Sequence, residues 1–169
     1  RLQQITGHTI HLAIRDMNEV VYIDKIISNS PIQMYSKIGR RAPLYCTGLG
    51  KAILAFMSDK EIDEYLKSVK LIKYTPNTIA DIENLKKELE KIRIKGYSLD
   101  LEEHESGIRC VGAPIFDYSN QVIGSISVAT IVITLNDKDV EDFAPLVVDA
   151  ANEISKRLGA RRNLNIPHH

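Results

Sequence analysis

Two β-rich runs joined by a short turn constrain the fold most strongly. Gly107–Phe116 and Gln121–Thr130 are rich in Val, Ile and Ala, and the residues between them are Asp117–Asn120. Asp, Ser and Asn are typical of tight turns between antiparallel strands. The pattern therefore predicts a long β-hairpin, which needs partners on its faces because an isolated hairpin is barely stable in water.

The two faces of this hairpin differ in chemistry. With the turn centred between Tyr118 and Ser119, residues that lie opposite each other share a face. The predicted pairs on one face are Cys110 with Ser127, Ile108 with Ala129, and Gly112 with Ser125. The other face carries Val111, Ala113, Ile115, Val122, Ile126 and Val128, with Arg109 at its far end. A slip of one residue would exchange the faces.

The face of small and weakly polar residues has two interpretations. Small side chains leave volume, and thiol and hydroxyl groups can orient a polar ligand, which favours a pocket. Small residues also let a helix pack closely, with no ligand. Both alternatives stay open from the sequence, whereas the larger apolar face is a surface for the C-terminal helix.

The remaining sequence predicts more strands and several helices. The predicted strands are Thr9–Arg15 paired with Glu19–Ile27, then Gln33–Ile38, and Tyr97–Leu101. The predicted helices begin at Thr47 or Gly48, at the Ser58–Glu61 capping box, at Thr78–Asp81, and at Asn136. Gly39–Pro43 is predicted to be a basic loop, and Pro145 to kink the last helix. The absence of a regular βαβ repeat predicts an α+β fold with an antiparallel sheet.

Composition bounds the class of protein. The 169 residues suit one domain, and Lys+Arg and Asp+Glu both number 22, so the formal net charge is zero. This balance argues against nucleic-acid binding by this chain alone. No apolar run approaches a membrane span of about 20 residues, and no signal-peptide core precedes Asn29. We therefore read Cys46 and Cys110 as reduced thiols of a cytoplasmic protein.

A glycine-rich segment predicts a weak anion site. Gly48, Leu49 and Gly50 lie at the predicted helix start within Cys46–Lys51. Free backbone N–H groups and the helix dipole favour a carboxylate there. The segment matches neither the Walker motif nor GxGxxG, and glycine before a helix is often only turn chemistry.

Most of the acidic residues that precede Arg109 are expected to be solvated. These residues are Asp100, Glu102, Glu103 and Glu105. Asp100 is the exception, because it ends a strand that can lie beside the hairpin and so reach the pocket. A metal pair of His8 and His11 is not expected, since residues i and i+3 of a strand point to opposite faces. We predict no metal site and no cofactor.

An enzyme that uses the thiol of Cys110 is the first alternative. His104 and a carboxylate could complete a nucleophilic set. The predicted position of Cys110 within an apolar strand, away from any helix N-terminus, provides no activation. We therefore predict no catalytic residue and no enzyme, and keep a ligand-free interaction module as the second alternative.

Three segments together resemble the effector-binding domain of IclR-type bacterial transcription regulators. They are TGHTIHLAI (Thr6–Ile14), PLYCTGLGKAILAFM (Pro43–Met57), and GYSLDLEEHESGIRCVGAPIFDYSNQVIGSISV (Gly96–Val128). The resemblance covers about residues 2–160. It implies a GAF-like domain with helices on both sides of an antiparallel sheet. It also implies that residues 1–6 end a linker helix from an N-terminal winged helix-turn-helix domain, and that residues 7–160 form the effector-binding domain. Residues 161–169 have no periodicity and are expected to form a disordered tail.

The resemblance also implies site residues and partners. The implied ligand contacts are Gly48 and Leu49 through their backbone, then Asp100, Cys110 and Ser127, with apolar lining by Met34, Ala42 and Ile108. Ala129 stands where some members carry a second hydroxyl, so one hydrogen bond to the ligand is expected to be missing. The implied effector is a small organic acid, the implied assembly a homodimer or homotetramer, and DNA binding belongs to the N-terminal domain. Met34–Ala52 resembles the subgroup that responds to 2-keto-3-deoxygluconate.

Overall fold

The computed structural model describes residues 1–28, 30, 34–132 and 137–165. The strands are β1 Thr9–Asp16, β2 Glu19–Ile26, β3 Arg41–Pro43, β4 Ser98–Leu101, β5 Ile108–Phe116 and β6 Val122–Ile131. The helices are α1 Leu2–Thr6, α2 Gly48–Phe56, α3 Asp59–Ser68, α4 Ile82–Lys95, α5 Asp137–Glu141 and α6 Ala144–Arg157. The described strands form one curled antiparallel sheet in the order β3-β2-β1-β6-β5-β4.

The predicted α+β architecture is confirmed. One face of the sheet is covered by α2, with α3 and α4 behind it, and the apolar residues of these elements form one core. The other face is covered by α6, which packs on Val111, Ala113 and Val128 of the central hairpin. The sheet therefore buries both faces, which is why strands β5 and β6 are apolar along most of their length.

The hairpin of β5 and β6 is confirmed, but its predicted register is wrong. Cys110 pairs with Ala129 and Gly112 with Ser127, two positions away from the predicted partners. An irregularity between Ile115 and Phe116 shifts the pairing next to the turn. Because side chains alternate with a period of two, a shift of two residues keeps the predicted faces.

Local helix signals hold well. Thr47 caps α2 by accepting from the N–H of Gly50, and the Ser58–Glu61 capping box begins α3. Asp81 caps α4, and Gly96 ends it with a φ of 81°. Each of these signals acts within one helical turn, so no distant contact is needed to produce it.

Three local predictions fail. The predicted loop at Gly39–Pro43 contains the edge strand β3, which pairs with β2. In the predicted strand Gln33–Ile38, residues 34–38 form no strand, and Gln33 lies outside the described residues. Pro145 does not kink one long helix: α5 ends at Glu141, and Pro145 lies in the first turn of α6, where its missing N–H costs nothing. The predicted cap Asn136 also lies outside the described residues.

Residues 161–165 pack against the domain, within the segment where the sequence predicts a disordered tail. Leu164 is buried, and its backbone N–H and carbonyl both bond to the side chain of Asn152. The guanidinium of Arg162 lies over the rings of Phe56 and Phe116. These five residues have no regular secondary structure, but they extend the core by one apolar side chain.

The start of α2 lies directly on the sheet. The hydroxyl of Ser98 donates to the carbonyl of Gly48 at 2.5 Å, and that of Ser125 donates to the carbonyl of Leu49 at 2.9 Å. A Cβ on Gly112 would lie 2.7 Å from the oxygen of Gly48, closer than real contacts allow. Glycine at both positions therefore permits the close approach, and the two serines fix it.

A buried ion pair holds α2 against the turn after β4. The ammonium of Lys51 is fully buried and bonds to the carboxylate of Glu103, with Glu88 3.6 Å away. The prediction that Glu103 is solvated is wrong, since it is only 7% exposed. Its other neighbours in sequence are paired at the surface of the turn, Glu102 with Arg109 and Glu105 with Arg40.

We predict that Lys51→Met lowers the free energy of unfolding by about 3 kcal/mol, because it leaves the buried carboxylate of Glu103 without its cation. Urea denaturation at pH 7 measures the change. The matched control is Lys87→Met, which breaks an exposed pair with Glu83 and should cost about 0.5 kcal/mol or less. Equal costs for the two substitutions would show that the Lys51 pair adds nothing beyond a surface contact.

Candidate functional site

A pocket opens on the small-residue face of the hairpin, beyond the first turn of α2. Its cavity volume is about 50 Å³, and it opens to solvent. The sheet floor, the start of α2 and two loops contribute side chains to it. Its lining residues are His11, Tyr22, Met34, Tyr35, Ser36, Arg40, Thr47, Gly48, Leu49, Asp100, His104, Glu105, Ile108, Cys110, Ser127 and Ala129.

The structure brings together eight of the nine site residues chosen from the sequence. These are Met34, Gly48, Leu49, Asp100, Ile108, Cys110, Ser127 and Ala129. Ala42 is not a lining residue: it pairs with Val20 in strand β3 and is buried in the core below. Whether the eight contact a ligand stays a prediction.

The small-residue face of the hairpin both packs against a helix and lines a pocket. At one end, Gly112 and Ser125 contact the start of α2, as the packing interpretation requires. At the other end, Cys110, Ser127 and Ala129 face the pocket. Helix α2 therefore begins at the edge of the pocket, and its N-terminus forms part of the pocket wall.

Sequence reasoning missed the residues that come from β1, β2 and the loops. They include His11, Tyr22, Ser36, Arg40, His104 and Glu105. No local motif marks them, because they reach the pocket only when the curled sheet brings distant segments together. His11 carries a positional signal, since it pairs with Ser127 across β1 and β6 and so lies on the same face.

The N-terminus of α2 presents two backbone donors to the pocket. Thr47 Oγ1 accepts from the N–H of Gly50 at 3.0 Å. The N–H groups of Gly48 and Leu49 are the first two of the helix and have no acceptor within it. The helix dipole adds partial positive charge at the same end, so this wall of the pocket favours an anionic or carbonyl oxygen.

Asp100 is a buried carboxyl group at the end of β4. Burial, and then the negative charge of Glu103, raise its pKa to about 7, although Lys51 opposes the shift. Its Oδ1 accepts from the backbone N–H of Glu103 at 2.7 Å. Near neutral pH the group can therefore donate as a carboxylic acid or accept as a carboxylate, and either form can bond to a ligand oxygen.

Cys110 lies opposite Ala129 on the pocket floor. Burial, followed by the charges of Asp100, Glu105 and Glu103, raises the pKa of its thiol well above the usual value. A nucleophilic cysteine needs the opposite shift. In the described part of the chain, no hydrogen bond joins the thiol to a histidine that could act as a base.

The two histidines of the HxxH spacing lie apart. His11 is buried in the pocket wall, where its Nε2 lies 2.7 Å from the hydroxyl of Ser36. Burial and the nearby Lys25 lower the pKa of His11 to about 4, so its ring is neutral at pH 7. His8 instead packs against Phe143 at 5.2 Å between ring centroids. Among the described residues, no three His, Cys, Asp or Glu side chains cluster to hold a metal.

Comparison with known proteins assigns the chain to a family. The family model for the C-terminal part of the bacterial transcriptional regulator IclR matches residues 1–156. The chain belongs to the IclR family. It corresponds to the effector-binding C-terminal domain of these regulators, as the sequence resemblance predicted. Within the described residues, no helix is both long enough and apolar enough to span a membrane.

Three IclR-family proteins resemble this chain over most of its length. The transcriptional regulators XynR and KdgR of Escherichia coli K12 are 36% and 37% identical to it, each over 94% of this chain and over 63% and 60% of their own lengths. The crystal structure of Thermotoga maritima IclR superposes with a TM-score of 0.89 at 44% identity, covering 94% of this chain and 64% of that one. The chain thus spans less than two thirds of each of these regulators.

We predict that Asp100→Asn changes the pH dependence of stability. A carboxyl pKa raised by folding means that stability falls as pH rises from about 4 to about 7, and the amide cannot ionise. The variant should therefore gain roughly 2.7 kcal/mol relative to wild type between pH 5 and pH 8, because two pKa units at 1.36 kcal/mol each separate pH 5 from the pKa of Asp100. Its Oδ1 can still accept from Glu103.

Urea denaturation of both proteins at pH 5 and pH 8 tests this expectation. Asp117→Asn is the control, because hydrogen bonds from Ser119 lower the pKa of Asp117 and keep it ionised at both pH values. If the difference between Asp100→Asn and wild type were the same at pH 5 and pH 8, the buried carboxyl would not titrate in this window.

Proposed function

We propose that the pocket binds a small organic acid, and that this binding controls DNA binding by an N-terminal winged helix-turn-helix domain of the full-length regulator. One observation carries the proposal. The free N–H groups of Gly48 and Leu49 lie in the same pocket as Asp100, Cys110 and Ser127. If the carboxylate of the ligand binds at the start of α2, the keto or hydroxyl oxygens next to it in the ligand face Asp100, Cys110 and Ser127.

The roles of the groups follow from their chemistry. The backbone N–H groups donate to the carboxylate of the ligand and complement its charge. Asp100, Cys110 and Ser127 then bond to a keto or hydroxyl oxygen next to that carboxylate. Ala129 has no hydroxyl, so it makes only apolar contact with the ligand. Met34 and Ile108 make apolar contacts as well.

The pocket is suited to sensing rather than to catalysis. The thiol of Cys110 has a raised pKa, and among the described residues no hydrogen bond joins it to a histidine, which argues against the thiol-enzyme alternative. The ligand-free alternative, an interaction module with a packed small-residue face, accounts for Gly112 and Ser125. It leaves no role for the polar groups around Cys110.

Binding can regulate only through a difference in affinity. A ligand that binds two arrangements of an assembly equally shifts neither, however tightly it binds. We therefore propose that the full-length protein is a homodimer or homotetramer in the cytoplasm with two arrangements of its DNA-binding domains. In this proposal α1, which Gly7 ends with a φ of 72°, is the end of the linker helix, and residues 7–160 form the sensing unit.

A thermal-shift screen of keto acids, sugar acids and aromatic acids tests the proposal. A ligand at 100 times its dissociation constant should stabilise the domain by about 2.7 kcal/mol. Pyruvate, glyoxylate and 2-keto-3-deoxygluconate belong in the screen, the last because Met34–Ala52 resembles the subgroup that responds to it. If no acid stabilises the domain, the interaction module becomes the better account.

Variants then test the site with any acid that the screen finds. Ser127→Ala should weaken binding about tenfold, the loss of one hydrogen bond of roughly 1.4 kcal/mol. Ser155→Ala is the control, since this serine is equally buried but bonds to Phe116 on the opposite face of the sheet. Unchanged binding in Cys110→Ser and Asp100→Ala together would place the ligand elsewhere.

A further inference from the structure

The wall of the pocket contains a partly exposed ion pair that joins the two ends of the sheet. Arg40 directly precedes β3, and Glu105 lies in the turn after β4. These are the two edge strands of the six-stranded order. The sheet is curled enough that Arg40 Nη2 donates to Glu105 Oε1 at 2.7 Å, and both residues line the pocket.

Arg40 also holds the segment beside the mouth. Its Nη1 donates to the carbonyl of Tyr35 at 2.7 Å. Lys25 Nζ donates to the carbonyls of Met34 and Ser36, at 3.0 and 2.8 Å. Residues 34–36 all line the pocket, yet Tyr35 is 76% exposed, so polar bonds rather than apolar burial hold this segment.

Glu105 is fixed on the opposite rim. Its carbonyl accepts from the N–H of Ile108 at 3.2 Å, within a turn that Glu102 also ties by accepting from Gly107. The ring of His104 lies 3.8 Å from the same carboxylate. The backbone of Glu105 is thus held in this turn, and its carboxylate can pair with Arg40 or separate from it.

We propose that the Arg40–Glu105 ion pair is a latch that limits access to the pocket. With the pair intact, the two sheet edges stay joined across the mouth. When it breaks, Arg40 and the 34–36 segment are released together from the opposite rim, and small molecules enter and leave faster. The proposal adds regulation to the proposed function, but it depends on that function only in calling the ligand an effector.

Alkylation of Cys110 measures access with no effector present. The thiol lies in the pocket, so its reaction with iodoacetamide, followed by mass spectrometry of the Cys110 peptide, reports how often the mouth is open. Cys46 is fully buried in the core and serves as the internal monitor of unfolding. Failure of the domain to bind any organic acid would leave these rates unaffected, so the two proposals fail separately.

Arg40→Gln is the decisive variant. Loss of a partly exposed ion pair should raise the rate at Cys110 about two- to fivefold while Cys46 stays protected. Electrostatics alone predict the opposite, because removing a positive charge near a thiol disfavours the reactive thiolate. Glu105→Gln is less decisive, since Glu105 itself raises the pKa of Cys110 and its loss would speed the reaction without any latch.

Two controls complete the experiment. Arg41→Gln breaks neighbouring ion pairs with Asp16 and Glu19 that lie outside the pocket lining, and it should leave the rate unchanged. The double reversal Arg40→Glu with Glu105→Arg should restore the slow rate that Arg40→Glu alone loses. An unchanged or slower rate in Arg40→Gln, or an equal rise in Arg41→Gln, overturns the latch.

Salt gives a second test that needs no variant to fold. Raising the salt concentration from about 0.05 M to about 0.5 M screens an exposed ion pair, so wild-type Cys110 should react faster while Cys46 does not. Because salt also screens the carboxylates that raise the pKa of Cys110, the pH dependence of the rate is measured at both salt concentrations, and the expected result is a faster reaction at equal thiolate fraction. If Arg40→Gln unfolds and so exposes both cysteines, the salt dependence of the wild-type rate is the test of the latch. A wild-type rate that does not change with salt then overturns the proposal.

Discussion

The contact between the start of α2 and strand β5 is the constraint on which the structure depends. Gly48 and Gly112 let two backbones approach closely, and the hydroxyls of Ser98 and Ser125 donate to the first carbonyls of the helix. This contact buries the helix start inside the domain instead of exposing it. Two backbone N–H groups of α2 are then left facing a cavity, where their charge is poorly screened by water.

The same contact divides one face of the hairpin into two parts. The residues under the helix are small because backbone must fit there, and the residues beyond it are small because a pocket is there. The buried Lys51–Glu103 pair ties the other side of the helix to the turn after β4, where the N–H of Glu103 also donates to Asp100 at the end of β4. Helix, acid and thiol are therefore positioned by one connected set of contacts.

Much of this could be predicted from the sequence, wherever the signal is local. Caps at Thr47, Ser58 and Asp81 and the central hairpin all hold, and the faces survive a register error of two because side chains alternate with that period. The burial of Glu103 and the arrival of Arg40 at the pocket depend on contacts 52 and 65 residues apart in sequence, which no local pattern encodes. The prediction of a kink at Pro145 is wrong for a related reason. Proline occurs both at kinks and in the first turn of a helix, and the local sequence does not distinguish the two.

The central claim is that a carboxylate docks on the free N–H groups of α2. A titration of the ¹⁵N-labelled domain with a stabilising organic acid, followed through backbone amide resonances, tests it most directly. We expect the largest shift changes at Gly48 and Leu49, with smaller ones at Cys110 and Ser127. Changes centred instead on the groove between α4 and β4, around Lys91 and Leu99, would contradict the account.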